Sequence, residues 1–326
     1  MKRLLKLFNK VGGWNVLRQY LRAHVFLFAM VQTLLNGFSR KGLEVVRLAV
    51  GNKVVRKLRK KYRRFISAYT SGHQPQQQSR SNKVWVCWFQ GMENAPPLVQ
   101  RCYASLQENL PDRQIILLTQ DNYRQYVTLP DYIEEKAAKG IIPKAQYSDL
   151  LRLELLIRHG GTWIDSTVLC SGKNIPDYML NSDLFMFQSL KPGLDGHATR
   201  ISNWFITACT NHPLLLLTQA LLYEYWKKHN SLLDYFIFHD LFELAIEAYP
   251  QQWEKVVPFS NAVPHILLLR LFEHYDPVVW SSICNMTPFH KLSYKFNQEQ
   301  ESEPDTYYTQ LIVSTQQGGN YGSEKQ

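Results

Sequence analysis

Asp149 and Arg152 stand on one helix turn of the stretch KAQYSDLLRLELLIRHGGTWIDSTVLC, residues 144–170, and Asp165 follows near its end. A spacing of three puts the first two on one helical face, where charge in an apolar setting is costly unless it is paired or used. Two carboxylates and a guanidinium at one locus would suit a phosphate-bearing ligand such as a nucleotide sugar, with a divalent cation. The reason is that Mg²⁺ and Mn²⁺ favour carboxylate oxygen and phosphate favours guanidinium. The same residues also read as a salt bridge beside a capping aspartate, worth roughly 0.2–0.5 kcal/mol.

The elements that must position these groups follow from the surrounding pattern. Leu150, Leu151, Leu153, Leu155, Leu156 and Ile157 surround most of a helix predicted over 145–159, which makes it a core helix. Gly160 and Gly161 supply its stop, and 162–170, rich in β-branched and aromatic residues, reads as a strand. The helix advances about 15 Å from Asp149 to His159, and the extended residues to Asp165 return about 15 Å. An antiparallel hairpin would therefore bring Asp165 level with Asp149 and Arg152.

The chain from residue 83 alternates as an α/β sheet does. Strands are expected over 83–89, 114–119, 183–188 and 204–208, and helices over 97–110, 213–229, 232–248 and 263–274. Ligands of such sheets sit at strand ends, which makes Trp88, Phe89, Gln90 and Gly91 candidate contacts for uridine or ribose. Asn203-Trp204 and His239-Asp240 interrupt apolar runs with polar groups, and His290 stands beside Lys291 after a proline-bearing loop.

Ser148-Asp149 with Arg152, then Gly160-Gly161 and Trp163-Ile164-Asp165, resemble the core signature of the capsular polysaccharide synthesis glycosyltransferases. These are related to sugar transferases with a DXD sequence and, more distantly, to the glucosylating domain of large clostridial toxins. The similarity runs from about residue 83 to 296 and weakly into the N-terminal basic segment. It implies an α/β, GT-A-like nucleotide-sugar transferase fold. The implied reaction moves a hexose or N-acetylhexosamine, with retention of configuration, from a nucleoside diphosphate donor, UDP foremost, to a surface or capsular polysaccharide acceptor on a lipid carrier. The resemblance gives Asp149 and Arg152 to the donor sugar, and Asp165 to ribose or metal-bound water. Positions such as Asn203 line the donor or acceptor pocket, a C-terminal His (His290) binds metal, and a basic group (Lys291) binds diphosphate. Asp165-Ser166-Thr167 departs from the family pattern. Thr167 stands where a metal-binding carboxylate is expected, and a hydroxyl is a weaker ligand for the implied Mn²⁺ or Mg²⁺. A non-catalytic scaffold protein of a polysaccharide assembly complex is the alternative that Thr167 suggests.

Residues 1–64 carry seventeen Lys and Arg against one acid, Glu44, so the basic character belongs to an appendage. The division expected is a basic helical appendage at 1–66, a flexible linker at 67–82, a catalytic domain at 83–298 and a disordered tail at 299–326. The apolar run 25–35 is too short to span a bilayer. A pair of amphipathic basic helices lying on an anionic inner membrane face fits this segment, each cation contributing about 1 kcal/mol; a solvated charged helix packed on the catalytic domain is the other reading. Nucleic acid is not expected as a partner, since no recognition module accompanies the basic arm. Five cysteines, odd in number and without a CxxC pair, fit a reducing cytoplasm.

Overall fold

The computed structural model describes residues 13–72, 76–190 and 199–314. Three helices come first, α1 (Gly13–Arg22), α2 (Phe26–Asn36) and α3 (Arg40–Gly72). The body follows with β1 (Lys83–Cys87), α4 (Pro97–Asn109), β2 (Gln114–Leu118), α5 (Lys144–His159), β3 (Gly161–Ile164), β4 (Val168–Cys170), β5 (Leu184–Gln188) and β6 (Ile201–Ala208). It ends with α6 (Pro213–Lys228), α7 (Ile237–Ala248), α8 (Pro277–Met286) and β7 (Phe289–Lys291). This is the expected α/β class with a helical N-terminal appendage.

The main sheet runs β2-β1-β3-β6-β5, with β1 parallel to both neighbours and β6 antiparallel to β3 and β5. Its strands other than the edge strand β2 are largely buried on both faces, as their continuous apolar runs require. Val84, Val86, Ile164, Phe185, Phe187 and Phe205 fill one layer, while Trp85, Trp163, Leu184, Met186 and Ile206 alternate into the other beside α5, α6 and α7.

Residues 162–170 form two strands rather than the single one expected. The chain turns at Asp165, whose carbonyl accepts from the Val168 amide at 3.1 Å, so β3 stays in the main sheet while β4 pairs with β7. Asp and Ser favour such turns, and two β-branched flanks hide it. Helix α7 begins at Ile237, not 232, because Asp234 Oδ1 accepts from the Phe236 amide at 2.8 Å and holds the preceding residues in a turn. The 263–274 helix is a 3-10 turn at Val263–His265 followed by Ile266–Arg270.

The appendage is docked on the body. One side of α3 buries Val46, Val50, Val54, Leu58 and Tyr62 in the same apolar cluster as Phe238, Phe242 and Trp226 of the body. Arg59 pairs with Glu247, and Lys61 Nζ lies 2.8 Å from His229 Nε2. Within the expected linker, residues up to Gly72 continue α3, His73, Gln74 and Pro75 lie outside the described residues, and the remainder is tied down. The Ser79 amide donates to Thr210 Oγ1 at 2.9 Å, and Arg80 pairs with Asp183 at 2.8 Å. The expected tail also differs up to residue 314. Tyr307, Tyr308 and Ile312 are buried against Leu98, Leu267 and Leu271, because apolar groups in a polar stretch suffice to anchor it. Residues 1–12 and 315–326 lie outside the described residues.

Candidate functional site

The paired glycines set the geometry. Gly160 (φ +64°) and Gly161 (φ +94°) reverse the chain between α5 and β3, and a Cβ at Gly161 would lie 2.3 Å from the Lys83 carbonyl oxygen. Only glycine allows both that left-handed conformation and that approach. The strand then runs back along α5 and delivers Asp165 just past its C-terminal end, beside the end of parallel β1. Carboxyl ends of parallel strands are where ligands of α/β sheets bind.

Asp149, Arg152 and Asp165 meet there. Arg152 Nη2 lies 3.5 Å from Asp149 Oδ1 and 3.7 Å from Asp165 Oδ1. Asn203 closes one side of the group: its Nδ2 donates to Asp149 Oδ1 at 2.8 Å, and its carbonyl oxygen accepts from Arg152 Nη1. Ser148 Oγ accepts from Arg152 Nη2 at 3.2 Å. Lys291 arrives from β7, its Nζ 3.2 Å from Asp165 Oδ2 and donating to Thr167 Oγ1 at 2.5 Å.

The two carboxylates sit in different surroundings. Asp149's side chain is 10% exposed and Asp165's 28%, so Asp165 is the one that reaches solvent. Burial pushes the Asp149 carboxyl up to about 7, against the pull of Arg152 and with the help of Asp165. Burial would raise Asp165 as well, but Lys291, Arg152 and the Trp163 indole together hold it below the usual carboxylate range. At neutral pH the cluster therefore carries a firm charge at Asp165 and a titrating one at Asp149.

Trp163, part of the sequence signature, had no site role assigned to it there. Its Nε1 donates to Asp165 Oδ1 at 2.9 Å, and its ring lies 4.8 Å from the Arg152 guanidinium carbon. The signal was available, since residues two apart in a strand share a face. Burial followed by the Arg152 charge pushes His239 down to about 3, leaving a neutral imidazole whose Nδ1 has no hydrogen-bond partner and whose ring lies 5.3 Å from that of Phe236. Asp240, its neighbour in sequence, is buried and raised by burial, then by Asp234 and Glu243.

Other expected residues stand apart. Trp88 follows β1 at the correct edge, its indole nitrogen buried without a partner and its ring 5.6 Å from Tyr294. Gln90 is exposed on the next turn, where its carbonyl accepts from Asn94 Nδ2 at 2.9 Å, and it makes no bond to the ion cluster among the described residues. His290 does not join Asp165. Opposite residues of an antiparallel pair share a face, so His290 goes with Leu169 while Lys291 goes with Val168. Its Nε2 lies 2.9 Å from Ser171 Oγ, its ring 5.3 Å from that of Trp280, and burial lowers it to about 4.

The residues present fit the implied Mn²⁺ or Mg²⁺ poorly. No group of three or more His, Cys, Asp or Glu able to hold a metal ion occurs among the described residues. The two oxygens nearest the expected position, Asp165 Oδ2 and Thr167 Oγ1, are both engaged by the Lys291 ammonium.

No curated protein matches the chain. Among solved structures it is similar to one titled PaToxG Glycosyltransferase, at 14% identity over 82% of this chain and 98% of that one, with a TM-score of 0.35. The family model described as capsular polysaccharide synthesis protein matches residues 41–311, which takes in most of α3, the sheet and both edges of the ion cluster. The chain belongs to the capsular polysaccharide synthesis protein family.

Proposed function

We propose that the protein is a glycosyltransferase with a GT-A-like fold that moves a hexose or N-acetylhexosamine from a nucleoside diphosphate sugar, UDP foremost, to a capsular glycan acceptor. The observation that carries this reading is the convergence of Asp149, Arg152, Asp165 and Lys291 at the carboxyl edge of β1 and β3. In transfer, the bond from the anomeric carbon to the diphosphate oxygen breaks and a bond to the acceptor hydroxyl oxygen forms. The hydroxyl proton passes to the departing phosphate. Retention of configuration requires the acceptor on the leaving-group face, so the protein's work is positioning and stabilisation of developing charge.

Each residue has a place in that scheme. Asp149, steadied by Asn203, accepts hydrogen bonds from sugar hydroxyls, and Arg152 orders the two carboxylates while offering its remaining donors to the donor. Asp165 receives ribose hydroxyls. Lys291 swings its ammonium from Asp165 and Thr167 onto the diphosphate as charge develops there, a task that needs a cation close to the leaving oxygen.

The experiment is a panel of nucleotide sugars assayed for donor-dependent release of nucleoside diphosphate by the purified chain, with Asp165→Asn as the control. Release from at least one donor is expected, as is its loss in the variant, which stays folded at a Tm lowered by the loss of the partner of Lys291 and Arg152. Tight binding of UDP in calorimetry without release from any donor would instead select the scaffold reading that Thr167 favours.

A further inference from the structure

The second helix of the appendage presents an apolar stripe to the outside. Leu27, Met30, Val31, Leu34 and Leu35 recur at intervals of three and four, which places them on one face of α2, and Phe38 follows just past the helix end at Gly37. All six are exposed, Leu34 at 69% and Leu35 at 75%. The opposite face is spent on packing: Ala29 is buried, and Phe28 lies under Lys53 of α3, whose Nζ is 4.0 Å from the ring centre. Val45 and Leu48, at the start of α3, are also exposed. Contiguous apolar surface of this kind is uncommon on soluble monomers and marks a docking face.

Charge around the stripe identifies its occupant. Arg18, Arg22, Arg40, Lys41 and Arg47 on α1 and α3 are exposed, and none is in an ion pair among the described residues. A second copy would bring like charges together, which is unfavourable at an interface. An anionic bilayer offers the complement on both counts, hydrocarbon beneath a negatively charged plane. No helix among the described residues is long and apolar enough to cross a membrane. Helix α2, eleven residues and about 16 Å long, can instead lie in the surface. It is also held in place: Lys57 Nζ donates to the carbonyls of Ala23 at 2.8 Å and His24 at 2.7 Å, fixing the turn between α1 and α2 against α3.

We infer that α2 is a preformed wedge that inserts its Leu27–Leu35 stripe into the acyl boundary of an anionic membrane, with the cations of α1 and α3 on the headgroups. This goes beyond adsorption of basic helices by charge alone, and it stands independently of the donor chemistry. Flotation of the purified full chain with vesicles of equimolar phosphatidylglycerol and phosphatidylcholine tests it. Wild type should float at low salt and stay partly bound at about 0.5 M salt, where screening leaves only a few ångströms of electrostatic reach. The triple variant Leu27→Ser, Leu34→Ser, Leu35→Ser should keep its Tm, lose at least about ten-fold in partitioning and lose all salt-resistant binding. Leu35→Asp alone should show the same trend. Salt-resistant flotation unchanged in these variants, or no flotation of wild type, overturns the inference. A wild-type dimer that the triple variant dissolves, with no vesicle binding by either, overturns it too and assigns the face to a second copy.

Discussion

Asp149 and Asp165 share Arg152 yet hold their protons differently, and this has consequences for pH. With the folded value of Asp149 raised to about 7, the native state keeps a proton that the unfolded chain releases near pH 4. Its contribution to stability is therefore fully present below about pH 4 and lost as pH rises through about 7. Asn at this position stays neutral throughout. Asp149→Asn should gain in Tm relative to wild type between about pH 4 and pH 8, while kcat/KM falls by about 10² because a hydrogen-bonding anion is gone. Parallel melting curves across that range check the sign, and a difference that does not change with pH rules the account out. Lys291→Ala should lower kcat by about 10²–10³ with a smaller change in KM, the pattern of a charge felt mainly in the transition state. Single-turnover rates with the best donor measure it. The Asp149, Arg152, Asp165 set was legible in sequence because helix and strand rise per residue fix how far the chain goes and returns. His290 and Lys291 were legible as a pair but not by face. Their separation depends on the β4–β7 register, which only the folded ribbon sets.

At the level of elements, the α5–β3 hairpin is the most exacting piece. Gly161→Ala must place a Cβ 2.3 Å from a backbone oxygen of β1 while keeping φ at +94°, so the sheet or the hairpin has to shift. A loss of at least about 2 kcal/mol in chemical denaturation is expected, together with reduced activity because Asp165 moves with the strand. Retention of both stability and turnover would show that the glycine geometry is dispensable. Helix α5 was readable because leucines crowd every side of it, and β1 and β2 because short apolar runs have few other uses. The turn at Asp165 was not, since its two turn formers, Asp165 and Ser166, are flanked by β-branched and aromatic residues that read as one strand, and the break separates the main sheet from the β4–β7 ribbon. The docking of α3 was present in the sequence only as the other reading of the basic segment. Its charges dominate the composition, while the valines and Leu58 that bind it to the body are diluted among them over 33 residues.

For the whole molecule, that docking means the appendage cannot be treated as a detachable tether. Leu58 is buried in the core shared with α7, so Leu58→Ala should cost about 2–5 kcal/mol, read in the unfolding transition of the body itself. Two separate transitions, with only the smaller one shifted, would contradict a common core. A chain shortened to begin at residue 83 should for the same reason aggregate or melt early, rather than behave as a trimmed enzyme. The β4–β7 ribbon adds a constraint in time. Asp149, Arg152 and Asp165 leave the ribosome long before Lys291, which is contributed by β7, the last strand among the described residues, and reaches Asp165 when that strand pairs with β4. A nascent chain that has emerged as far as Met286 holds Asp149, Arg152 and Asp165 without Lys291, so the cluster acquires its final charge balance in one late step.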